Sequence, residues 1–147
     1  MSDNRVRTIR ALGHSMFPTI PSGSALNLES AESKDIGMGE VICYLGADGS
    51  IVAHRVIEVS ESAEKFYLTK GDAVPHSAWI PESAILGVVT EVNWHGVRYR
   101  TDGMVGRFCK KQWAKQDGLF VRFNFVAFAS LRAVKRRLWK TRVQPSF

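Results

Sequence analysis

Between residues 24 and 101 the chain is divided into short β-favouring runs by turn residues, and this spacing limits the fold more than any other feature. Residues 24–29 (SALNLE) alternate apolar and polar, and residues 40–46 (EVICYLG) form a short apolar run rich in β-formers. The stretch ADGS (47–50) reads as a hairpin turn leading into IVAHRVIEV (51–59). A further run, EKFYLTKG (64–71), ends at a Gly-Asp pair. AILGVVTEVNW follows, and His95-Gly96 then turns the chain into VRYRT. Several strands at this spacing predict a compact, mainly β domain with mostly antiparallel pairing. At 147 residues the chain is one domain's worth, long enough to bury a core without disulfides or metals.

After about residue 103 the pattern changes. Phe120, Phe123, Ala127, Leu131, Val134 and Leu138 recur at helical spacing, with Arg122, Arg132, Arg136 and Lys140 on another side. A basic amphipathic helix is predicted from about Leu119 to Trp139, and the chain divides into a β domain at 1–103 and a basic extension at 104–147. Charge divides the same way. Residues 1–92 hold seven Lys and Arg against twelve Asp and Glu, whereas residues 93–147 hold thirteen against two. The extension reads either as a solvated, partly packed C-terminal helix or as one lying on an anionic membrane surface. Nucleic acid is the least favoured partner, since charge is the only feature pointing to it.

The two cysteines, Cys43 and Cys109, are not arranged as CxxC and lie in no His/Cys cluster, so a zinc site is not expected. Cys43, inside an apolar run, reads as a small buried hydrophobe, and Cys109, among lysines, reads as structural. The N-terminal MSDNRVRTIRAL has no apolar core of the kind a secretory signal carries. No run reaches the ~18–20 apolar residues of a membrane span. A cytoplasmic protein is expected, peripheral on a membrane if the basic helix binds there.

The segment GHSMFPTIPSG (13–23) sets Ser15 on a bend just ahead of a strand. Such a serine either caps a turn or is a nucleophile presented to a substrate, and a nucleophilic serine needs a base for its proton. Of the four histidines, His14 adjoins Ser15 in sequence and should point away from it. His76 lies in a Pro-rich loop, and His95 in a hairpin turn. His54 differs, because it sits inside the apolar strand IVAHRVIEV. It is either a satisfied core histidine or a positioned base. Asp72, behind Gly71, either orients an imidazole or completes a turn.

Five blocks in order, Ser15-Met16-x-Pro18-Thr19-Ile20, Gly39-Glu40-Val41-Ile42, His54-Arg55-Val56-Ile57, Thr69-Lys70-Gly71-Asp72 and Ile85-Leu86-Gly87-x-Val89, resemble the signal peptidase I superfamily. More narrowly, they are similar to its endoplasmic-reticulum and archaeal branch, in which histidine replaces a lysine base. The resemblance covers about residues 12–92. It implies a signal-peptidase-like β fold and a serine endopeptidase making a limited cut in a peptide or protein precursor. It further implies Ser15 as nucleophile, His54 as general base, Asp72 as support for His54, and the Ser15 N–H as oxyanion donor. Small side chains near the cut are implied as the preferred substrate, with no cofactor and no metal. Three positions depart from the family. Gly13 stands where a second oxyanion hydroxyl is common, Ala73-Val74 and Ser77-Ala78 replace asparagines and acids, and a short, largely polar stretch precedes the serine where a transmembrane helix is usual. The rival reading is a non-catalytic module on the same fold that binds a peptide strand or a membrane surface.

Overall fold

The structure is a computed structural model that describes residues 7–33 and 35–101. Eight strands follow in order: β1 (Arg7–Arg10), β2 (Ala25–Glu29), β3 (Val41–Leu45), β4 (Ile51–Val59), β5 (Phe66–Lys70), β6 (Ser77–Pro81), β7 (Ile85–Trp94) and β8 (Val97–Arg100). Every strand pairing among the described residues is antiparallel. The sheet order is β1-β2-β7-β3-β4-β5-β6, with β8 added to β7. Long β7 carries β2 along one edge, and β3 and β8 in succession along the other. Helical structure among the described residues is confined to single 3-10 turns at Ala31–Ser33 and Glu82–Ala84. The protein is therefore mainly β and antiparallel, as the alternation of apolar and polar residues predicts.

Local chemistry explains the hairpins. In the β3–β4 turn, Asp48 Oδ1 accepts from the Ser50 N–H at 3.0 Å and from the Ser50 hydroxyl at 2.6 Å. The β7–β8 turn needs two consecutive left-handed residues, supplied by His95 at φ 48° and Gly96 at φ 79°. Two strands lie outside the sequence expectation. β1 falls in the charged N-terminal stretch, and β6 in what reads as a Pro-rich loop. Both are edge strands with one neighbour, so most of their side chains are exposed and no alternation marks them. Pro81 ends β6, an edge position that tolerates a missing N–H.

Successive residues of a strand point to opposite faces of the sheet. In β3, Val41 and Cys43 join Met16, Ile20, Leu26, Leu28, Val89 and Val92 in one buried cluster. Ile42 and Tyr44 join Ile36, Val56, Tyr67 and Val88 in a second. β3 is thus covered on both faces and forms the centre of the molecule. Burial pushes the Cys43 thiol up to about 12, which keeps it protonated and unreactive. Cys109, the expected basic helix at about 119–139 and the boundary near 103 lie outside the described residues. Among those described, no helix is long and apolar enough to cross a membrane.

Candidate functional site

Residues 14–20 form one continuous turn. Within it the Phe17 N–H donates to the His14 carbonyl at 3.1 Å and the Ile20 N–H to the Met16 carbonyl at 2.8 Å. Met16, Pro18 and Ile20 are buried while His14 and Phe17 are exposed, so this burial pins the turn to the sheet and leaves Ser15 half-buried. The Phe17-Pro18 peptide is cis. Two further bonds fix the turn. The Ala73 N–H donates to the Ser15 carbonyl at 2.8 Å, and the Tyr99 hydroxyl of β8 donates to the Thr19 carbonyl. Burial holds the Tyr99 phenol above its ordinary value, which keeps it a donor. Among the described residues the Ser15 N–H has no hydrogen-bond acceptor.

His54 lies on β4 opposite Ile42 of β3, on the sheet face of the second cluster. On its other side Arg55 pairs with Lys70 of β5, which brings Gly71 alongside the imidazole. A Cβ on Gly71 would lie 2.7 Å from the Ser15 carbonyl oxygen, 2.7 Å from Val74 Cγ2 and 3.1 Å from His54 Nε2. Only glycine admits this approach, so the Ser15 backbone carbonyl and His54 Nε2 lie on either side of Gly71. No hydrogen bond joins their side chains among the described residues. Catalytic bonds of this kind often tighten only when substrate is bound. At the other end of the ring, Nδ1 lies 3.2 Å from the Tyr44 hydroxyl, and the two rings meet edge to face at 6.0 Å and 70°. Burial lowers the His54 pKa from the ordinary 6.5, and the Asp72 carboxylate pulls it back up. The balance favours a neutral imidazole at neutral pH.

Asp72 takes a different hydrogen-bond partner from the one expected. Arg55 grips it with two bonds, Nε to Oδ1 at 3.0 Å and Nη2 to Oδ2 at 2.9 Å, and donates a third from Nη1 to the Gly39 carbonyl at 2.7 Å. The pair is buried, its side chains 7% and 2% exposed. The physical reason lies in the strand. Adjacent residues face opposite sides of the sheet, and the guanidinium of Arg55 offers a planar fork that matches a carboxylate. Asp72 therefore acts on His54 through space, while the bonds of Arg55 tie β4 to the Gly71-Asp72 corner and to the approach to β3.

Tyr44, Gly71 and Arg55 complete the site without having been singled out by sequence. Once ADGS is read as the β3–β4 hairpin, counting outward places Tyr44 opposite Val52 and diagonal to His54, within reach of a long side chain. The other histidines, His14, His76 and His95, are exposed. A cavity of about 420 Å³ opens elsewhere, between the 31–36 segment and Lys65, Tyr67 and Glu82, and contains none of the three expected site residues. Among the described residues no group of three or more His, Cys, Asp or Glu side chains is placed to hold a metal ion. No protein-family model matches the chain, and no curated protein matches it.

Proposed function

We propose that the protein is a serine endopeptidase of the signal peptidase I type, making a limited cut in a peptide or protein precursor. The observation that carries this reading is the approach of the Ser15 turn, at its backbone carbonyl, and of Nε2 of the half-buried His54 to the same point at Gly71. Ser15 Oγ attacks the scissile carbonyl carbon while its proton passes to His54 Nε2. The tetrahedral oxyanion is stabilised by the Ser15 N–H. His54 then gives the proton to the departing amine, and water, deprotonated by His54 in turn, releases the acyl group as His54 returns that proton to Ser15 Oγ. The basic C-terminal stretch brings this chemistry to an anionic membrane surface.

A second reading, a non-catalytic peptide-binding module, is favoured by one observation: both Asp72 oxygens are engaged by Arg55. A fluorophosphonate probe separates the two, because it reacts only with an activated serine. Labelling of the parent chain, lost in Ser15→Ala and in His54→Ala, is the expected result. A parent chain that never labels leaves the binding module standing.

A further inference from the structure

We propose that Tyr44 is the positioning residue for His54, its phenolic oxygen accepting the Nδ1 proton so that Nε2 is left bare toward Ser15. The inference rests on the Ser15–His54 reading above and supplies the support that Asp72 does not give by hydrogen bond. A neutral imidazole carries one ring proton, and its two placements have opposite consequences. With the proton on Nε2 the ring cannot accept from Ser15. With the proton on Nδ1 it can.

The Ser15–His54 reading requires the second form, and the Tyr44 oxygen is placed to accept its proton. A partly buried N–H without an acceptor is costly. Among the described residues Nε2 has no hydrogen-bond partner, whereas Nδ1 faces the Tyr44 oxygen at 3.2 Å. Tyr44 is itself fixed, 5% exposed and packed in the cluster formed by Ile36, Ile42, Val56, Tyr67 and Val88. Its hydroxyl therefore stays in place as the imidazole gains and loses a proton. Asp72, the carboxylate that acts on His54, is held by Arg55 and so contributes charge but no hydrogen bond to the ring. A phenol suits the Nδ1 position because it accepts the ring proton without bringing a second negative charge into the sheet.

The test reads the tautomer directly. In the full chain with ¹⁵N-labelled histidine, the His54 imidazole at neutral pH should show a protonated Nδ1 and a bare Nε2. Tyr44→Phe keeps the ring that fills the cluster and removes only the oxygen. Its His54 should redistribute toward the Nε2–H form, and the rate of fluorophosphonate labelling should fall about fivefold while the thermal midpoint barely moves. On a cleavable peptide the loss should appear in kcat, with KM unchanged. A parent His54 protonated on Nε2, or a tautomer unaffected by Tyr44→Phe, overturns the proposal. The parent spectrum decides even if the variant fails to fold. A parent chain with the expected tautomer but no labelling would sink the peptidase reading and leave Tyr44 as the residue that orients His54.

Discussion

At the scale of single residues, Gly71 and His54 govern the site in different ways. Gly71 acts by leaving space. Gly71→Ala would drive a methyl to 2.7 Å from the Ser15 carbonyl, a backbone atom that can yield only by moving the turn. Overpacking of this kind costs about 1–3 kcal/mol, visible as a lower thermal midpoint. Displacing Ser15 from His54 should also reduce kcat/KM on the order of a hundredfold. A fully active Gly71→Ala would show that the two residues do not work across this point. His54 acts through its protonation state. Because burial lowers its pKa, the acid limb of kcat/KM should be centred below 6.5. Removing the Asp72 charge with Asp72→Asn takes away the influence that favours imidazolium, so the limb should move further down. An upward move would contradict the electrostatics. The same shift has a stability sign. The unfolded chain takes up the proton more readily, so His54's contribution is full above 6.5 and is lost as pH falls through the lower folded value.

Between elements, the buried Arg55–Asp72 pair joins β4 to the corner after β5, and its thermodynamics differ from those of a simple turn aspartate. Breaking a buried pair from one side leaves an uncompensated charge and costs about 3–5 kcal/mol. Asp72→Ala and Arg55→Met should each destabilise strongly in urea, and the double variant by clearly less than the sum. Additive effects would mean that the pair is not coupled. Tyr99 joins β8 to the Ser15 turn, so Tyr99→Phe should cost about 1 kcal/mol and loosen the turn rather than the sheet. A cleavage rate insensitive to Tyr99→Phe would show that buried Met16, Pro18 and Ile20 and the Ala73–Ser15 bond hold the turn without it. These links also show where sequence reading reaches and where it stops. Strands β2, β3, β4, β5, β7 and β8 are legible because each buries a face and so carries a period, or is an apolar run buried on both faces as in β3, or follows a turn that dictates its conformation. β1 and β6 are not legible, since edge strands with exposed side chains carry no such mark. The placement of His54 on a strand, and of Ser15 and Asp72 on turns, follows from local pattern. The partner of Asp72 does not, because the choice between His54 and Arg55 depends on which face each adjacent side chain takes. Tyr44 was hidden for a related reason. Its hydroxyl reads as one more member of an apolar run until strand register sets it beside the imidazole.

For the whole molecule, charge asymmetry decides where the site can work. Residues 1–92 carry twelve acids against seven bases, so an anionic surface repels this part of the chain. Any attraction must come from residues 93–147, with thirteen bases against two acids. The full chain should therefore bind vesicles containing phosphatidylserine and not purely neutral ones. Binding should weaken as salt rises, since exposed charges are screened beyond about 8 Å at physiological ionic strength. Each cation near such a surface contributes about 1 kcal/mol. Replacing Arg132, Lys135, Arg136 and Arg137 with Gln should thus reduce partitioning on the order of a thousandfold. Gln keeps these side chains polar and close in length, so the thermal midpoint and Ser15 labelling in solution should stay near parent values. Cleavage of a membrane-tethered peptide should fall with partitioning, while cleavage of the same peptide free in solution should not. Vesicle binding that survives the four substitutions, or that ignores salt, would place the attraction elsewhere and remove the basic stretch from the account of where this protein acts.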